Sequence, residues 1–168
     1  MCIRDSSLVG GEDGKIILAG LGKADSVSAH DYRKAGAAVF ASIKKIHGND
    51  FTVRFSNAGV AHMAAFAEGM MLRDYSYNHY KMKDDDSEDD ESIKQVRLAC
   101  SEKEAGELTT MVENYRGVAK GVHLSRDLGN CPPNDMYPEE FADRAYEWAK
   151  QYDNCLLYTS DAADDDHC

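Results

Sequence analysis

Between Gly14 and Lys23 the chain reads GKIILAGLGK, a continuous apolar run closed by glycines. Its short length and β-branched content predict a strand buried on both faces, followed by a tight turn. The period then changes. Tyr32, Ala35, Val39, Ile43 and Ile46 recur at helical spacing, with Ser28 placed to cap the helix and Gly48 to stop it. DFTVRFS (Asp50 to Ser56) alternates with period two, as a strand does. GVAHMAAFAEGMMLRDYSYNHY follows as a second helix, rich in Ala and Met, running into an aromatic cluster. SIKQVRLAC (Ser92 to Cys100) alternates again. From Glu102 to about Leu128 the chain predicts a long helix with an apolar stripe of Ala105, Leu108, Met111, Val112, Tyr115, Val118, Val122 and Leu124. After the break GNCPPN, Pro138 sits in the first turn of a last helix, PEEFADRAYEWAKQY.

Strands alternating with helices predict an α/β domain. The expected architecture is three strands, near residues 15–20, 51–56 and 93–100, in one sheet flanked by helices near 29–47 and 58–74. The long helix reads as a connector, and its stripe as a surface awaiting cover from a further domain.

The two termini do not fit this pattern. One permitted codon set for Met1 to Ser6, taken on the opposite strand, encodes Cys-Leu-Leu-Tyr-Thr and the first base of a serine codon, which is the stretch Cys155 to Ser160. The shared element resembles the mosaic end of transposon-based sequencing libraries. Residues 1–6 and 155–168 are therefore expected to be adapter-derived and are set aside. The expected organisation is a partial α/β domain over 7–100, a linker helix over 101–130 and the start of a further domain over 131–154.

Setting the ends aside changes the composition. Three of the five cysteines fall in them, leaving Cys100 and Cys131, too few for a disulfide framework and consistent with a reducing compartment. Removing one positive and five negative charges takes the net charge from −11 to −7. That balance favours solubility and argues against nucleic acid or an anionic membrane surface as partner. No apolar run approaches the roughly 20 residues that a membrane span needs.

Few residues suggest chemistry. GLGK (Gly20 to Lys23) lacks the spacing of a Walker loop and the full dinucleotide fingerprint, so a strand-to-helix turn is expected. His30, His47, His62, His79 and His123 show no paired metal-ligand spacing, and packing or surface roles are expected for them. Cys131 has no neighbour that marks a nucleophile. Tyr75, Tyr77 and Tyr80, with Lys81, predict a packed aromatic edge. The acidic run Asp84 to Glu91 predicts a solvated loop, since it lacks the glycine and spaced ligands of a calcium site. From the residues alone, no catalytic, metal or substrate-binding residue is assigned.

The stretch Gly121 to Ala145, GVHLSRDLGNCPPNDMYPEEFADRA, is more specific. Its paired prolines impose a rigid, extended break. Arg126, Asp127, Leu128, Asn130, Pro132, Pro133, Asn134, Pro138, Phe141 and Ala142 match the ARDLxNxPPNxxxPxxFA pattern of the leucyl aminopeptidases, the M17 cytosol aminopeptidase family, with Ser125 in place of the usual Ala. Gly69, Leu72, Tyr75, Tyr77, Tyr80 and Lys81 similarly resemble the GLxLxxYxFxxYK pattern of that family's N-terminal domain.

The resemblance implies a macro-like N-terminal α/β domain, incomplete here and lacking its first strands, followed by an interdomain helix. It implies a cytoplasmic aminopeptidase that removes N-terminal residues from peptides with two divalent ions, manganese or zinc, and assembles as a homohexamer. In that family the metal ligands and the catalytic lysine and arginine lie beyond the PPN break. This segment alone is accordingly expected to bind no metal and to be inactive. Two alternatives remain: a stand-alone macro-like module for ADP-ribose-type ligands, for which AGLGKADS is a thin phosphate loop, and an accessory DNA-binding domain, against which the acidic balance counts.

Overall fold

A computed structural model of the chain describes residues 6–11, 14–23, 26–45, 50–80 and 95–152. In order these form β1 (Ser6–Gly11), β2 (Gly14–Ala19), α1 (Ala29–Ile43), β3 (Asp50–Val53), α2 (Val60–Asp74), β4 (Gln95–Leu98), α3 (Glu102–Asn130) and α4 (Pro138–Ala149). Two compact units divide the chain, one up to Leu124 and one from Ser125. Of the terminal stretches set aside above, only Ser6 is described, and it opens β1 opposite Ala19. The rest, the acidic run 84–91, Ile46, His47, Gly48 and Lys81 lie outside the described residues.

In the first unit α1 begins where its sequence says it should. The Ser28 hydroxyl accepts from the Asp31 N–H at 3.3 Å, and the Asp31 carboxylate accepts from the Ser28 N–H at 3.0 Å, a complete capping box. Tyr32, Ala35, Val39, Phe40 and Ile43 then form one buried face. The helix α2 supplies the other half of the core with Ala65, Phe66 and Met70. Tyr32 stacks on His62 at 4.7 Å near the start of both helices, and Lys44 meets Asp74 at 3.2 Å at their ends. The two helices therefore run side by side in one direction.

At the closest approach both helices present glycine. A methyl group at Gly36 would overlap the Phe66 carbonyl, and one at Gly69 the Arg33 carbonyl. Only backbone fits between them. Beside this contact Glu68, 7% exposed, is paired with Arg33, whose Nε donates to it at 2.7 Å.

The strands β3 and β4 pair in parallel, Phe51 opposite Val96 and Val53 opposite Leu98. Those four apolar residues pack against the helical core, while Thr52, Gln95 and Arg97 face water. Alternation is thus obeyed residue by residue. The strands β1 and β2 form a separate antiparallel pair, with Gly11 opposite Gly14.

The α/β class is as expected, but the single three-stranded sheet is not. The segments near 15–20 and 51–56 belong to different two-stranded sheets. Period two identifies a strand without naming its neighbour, and the core that α1 and α2 share takes Ile17 of β2 and Phe51 and Val53 of β3 although the two strands do not pair. The strand β1 carried too little alternation to be foreseen. The expectation that β2 is buried on both faces also needs correction. Ile17 packs on the core, whereas Ile16 and Leu18 are 59% and 58% exposed. Among the described residues, helices cover only one face.

The helix α3 is better covered than its sequence suggested. Leu108 is buried with Met63 and Ala64 of α2, and Met111, Val112 and Tyr115 pack around them, so the first half of the stripe belongs to this unit. Val118 remains 52% exposed.

Candidate functional site

In α/β folds ligands gather at the carboxyl ends of parallel strands. Here that place is a shallow cleft of about 440 Å³ beyond β3 and β4, lined by Arg54 to Ala58, Met63, Ala99 to Ser101 and Glu104. Two helices start at its rim. The helix α2 opens at Gly59 without a side-chain cap. The helix α3 opens at Ser101, whose hydroxyl and N–H both donate to the Glu104 carboxylate, at 2.5 and 3.1 Å. Those bonds, the hydroxyl's first, hold Glu104 below the usual glutamate range. Its carboxylate is thereby committed to the helix start. Cys100 is exposed here, and neither a histidine nor a second carboxylate lines the cleft with it, so no nucleophile–base pair is assembled.

A larger cleft of about 640 Å³ lies between β2 and β3, over α1. Its walls include Ile17, Leu21, Val39, Ile43, Phe51 and Val53. Its lining is mostly apolar, with Asp50, Thr52, Arg54 and Ser56 also present, and the sequence carries no local signal for it because it lies between strands distant in the chain.

The singled-out residues scatter. In GLGK, Gly22 takes φ +93°, a left-handed conformation suited to glycine, in the turn after β2. His62 stacks on Tyr32, and His123 packs against Tyr75 at 5.3 Å. His79 meets the Tyr80 ring edge-on at 4.9 Å, with Tyr77 and Tyr80 6.1 Å apart. The aromatic edge therefore has two parts, Tyr75 against α3 and Tyr77 to Tyr80 together. Gly69, a residue of the family-like pattern, acquires a physical reason in its contact with Arg33. Among the described residues no three of His, Cys, Asp and Glu converge as metal ligands would, and no helix is long and apolar enough to cross a membrane.

The second unit contains the proline break. Asp127 accepts from the Cys131 N–H at 3.1 Å through its carbonyl as α3 ends. The Pro132 carbonyl then accepts from Asp135 and Met136, at 3.0 and 2.9 Å, which tightens the turn. Pro138 takes the first turn of α4 after Tyr137, and Arg144 pairs with Glu140 at 2.6 Å. That carboxylate holds the Arg144 guanidinium above its ordinary value. The motif residues serve as a helix stop, a turn and a helix start.

Comparison with known proteins is consistent across sequence and structure. Residues 6–84 match the cytosol aminopeptidase family, N-terminal domain. A probable cytosol aminopeptidase of Rhizobium etli (strain CIAT 652) is 39% identical over 137 residues, covering 79% of this chain and 27% of that protein. One from Rhizobium leguminosarum bv. trifolii (strain WSM2304) is 38% identical over 140 residues, covering 81% and 28%. The chain thus spans a little over a quarter of the length of these relatives. Among solved structures, the bottromycin maturation enzyme BotP in complex with Mn superimposes with a TM-score of 0.70 at 25% identity, over 88% of this chain and 30% of that one. BotP in a second structure gives 0.68 at 26%.

Proposed function

This chain belongs, through its N-terminal domain, to the cytosol aminopeptidase family, and on that premise we propose that it is part of a metal-dependent enzyme that removes N-terminal residues from peptides. The observation that carries this reading is the match of residues 6–84 to that domain, continued in the relatives well past it.

Two divalent ions, manganese or zinc, would supply an activated water in the complete enzyme. The described residues do not fit such a centre, since no three ligating side chains converge. The chain's own contribution is architectural. A packed α/β domain is joined by the continuous helix α3 to the proline turn and α4. In the cytoplasmic, homohexameric enzyme we infer, this part shapes access to the catalytic centre and contacts neighbouring subunits.

The test is hydrolysis of leucine amide with added manganese or zinc, by the 168-residue chain and by the product of the uninterrupted gene. Turnover by the longer protein alone is expected. Comparable turnover by the chain alone, or none by either, overturns the reading.

A further inference from the structure

The division between the two compact units falls inside α3, after Leu124, about one turn beyond Gly121 and about two beyond Gly117. Nothing in the packing explains either glycine. A methyl group added at Gly117 or Gly121 would meet no atom of the described residues within 4 Å, and neither glycine has a positive φ. Unlike Gly36 and Gly69, these two weaken their helix without admitting a close neighbour. Relative to alanine, each makes local opening of the helix about fivefold easier, and the pair roughly 25-fold.

The hold on α3 thins at the same place. Leu108 is buried with Met63 and Ala64, and Met111, Val112 and Tyr115 pack around them. Past Tyr115 the side chains offer less. Val118 is exposed, Ala119 buries only a methyl group, and Val122 and Leu124 are half-buried. His123 then rests its ring against Tyr75, with centroids 5.3 Å apart. That last contact carries its own cost. The His123 Nε2 is buried and has no hydrogen-bond partner among the described residues. In either neutral tautomer this nitrogen is a donor or an acceptor, so the dry position leaves one bond unmade. Movement of the helix end away from Tyr75 lets water supply that bond. The glycines ease bending, the histidine offsets the lost contact, and both favour the same movement.

We propose that the turn from Gly117 to Gly121 is a hinge in α3, and that His123 on Tyr75 is a releasable clasp just beyond it. With the clasp closed, α3 is one continuous helix. With it open, the helix beyond the turn swings off the first unit, and the chain from Ser125 moves with it. Opening hydrates His123 and leaves the cluster around Leu108 packed.

The experiment follows the whole 168-residue chain, labelled with nitrogen-15, by amide exchange at rising urea concentrations below the unfolding transition and by residual dipolar couplings. A hinge predicts that the amides of Val118 to Leu124 exchange at least tenfold faster than those of Leu108 to Tyr115, at rates that urea does not change. The couplings of Val122 to Asn130 should also be scaled down relative to those of Glu102 to Arg116. Gly117→Ala/Gly121→Ala should slow exchange at Val118 to Leu124 at least tenfold and bring all the couplings onto one straight helix. His123→Phe keeps a ring against Tyr75, removes the buried nitrogen and should slow the same exchange at least threefold. Exchange there that rises with urea in step with Leu108 to Tyr115 means that α3 opens only with the whole unit, and overturns the proposal. Unaltered rates and couplings in the alanine variant overturn the hinge. Unaltered or faster exchange in His123→Phe overturns the clasp.

Discussion

Gly36 of α1 lies against the backbone of Phe66 in α2, so close that one added methyl group would overlap the Phe66 carbonyl. Gly69 stands in the same relation to Arg33. Alanine at either position must push the helices apart and open the Phe66 and Met70 packing, which overpacking data place at about 1–3 kcal/mol. Gly36→Ala and Gly69→Ala should each lower the unfolding free energy, measured by urea titration, by that amount. Gly106→Ala and Gly117→Ala, whose added methyls meet nothing, should instead gain up to about 1 kcal/mol from helix propensity.

The pair between Arg33 and Glu68 is asymmetric, with the arginine side chain 33% exposed and the glutamate 9%. Removing the cation strands a buried carboxylate, whereas removing both charges does not. Arg33→Met should cost about 1–3 kcal/mol, and the double variant Arg33→Met/Glu68→Leu should recover most of it. Equal losses in single and double variants, measured by urea unfolding, would show the pair to be incidental.

Acid should weaken the start of α3. The folded-state value of Glu104 is depressed, so its stabilising contribution is complete above the ordinary 4.5 and is lost as pH falls through the folded value. In Ser101→Ala the main cause of the depression is gone. The Glu104 titration, followed by carbon-13 chemical shift, should then move up toward 4.5. The melting-temperature gap between the two proteins should shrink between pH 6 and pH 3.

Ile16 and Leu18 expose a contiguous apolar strip on β2. Such strips promote association. Ile16→Lys/Leu18→Lys should lower the sedimentation coefficient at high concentration and leave the far-ultraviolet circular dichroism unchanged. Unchanged sedimentation in a chain that self-associates would place the sticky surface elsewhere.

What the sequence disclosed, and what it withheld, follows from range. Ser28, Asp31 and the Tyr32-to-Ile43 stripe act within a few turns, so α1 was legible from its start through Ile43. The alternation of Phe51 and Val53 showed a strand but held no information on its partner, which lies at Val96 and Leu98. The cleft between β2 and β3 is a relation between distant segments and had no local signal. Gly69 was visible only as a letter in a family-like pattern. Its contact with the Arg33 backbone joins two helices distant in sequence, which no local pattern encodes. The proline turn was legible because proline fixes its own backbone.

The parallel register of β3 on β4 has a kinetic side. Asp50 meets Gln95 only after α2 and the stretch that includes the acidic run have been looped out. Contacts between α1 and α2 close a shorter loop and bury most of the core, so they should form first, with the strand pairing arriving late. Loop-closure entropy grows only logarithmically, about 0.6 kcal/mol for each doubling of length. The span between α2 and β4 can therefore lengthen or shorten at little cost in stability, making it the natural place for a linker, a tag or a protease site in an engineered version of this domain.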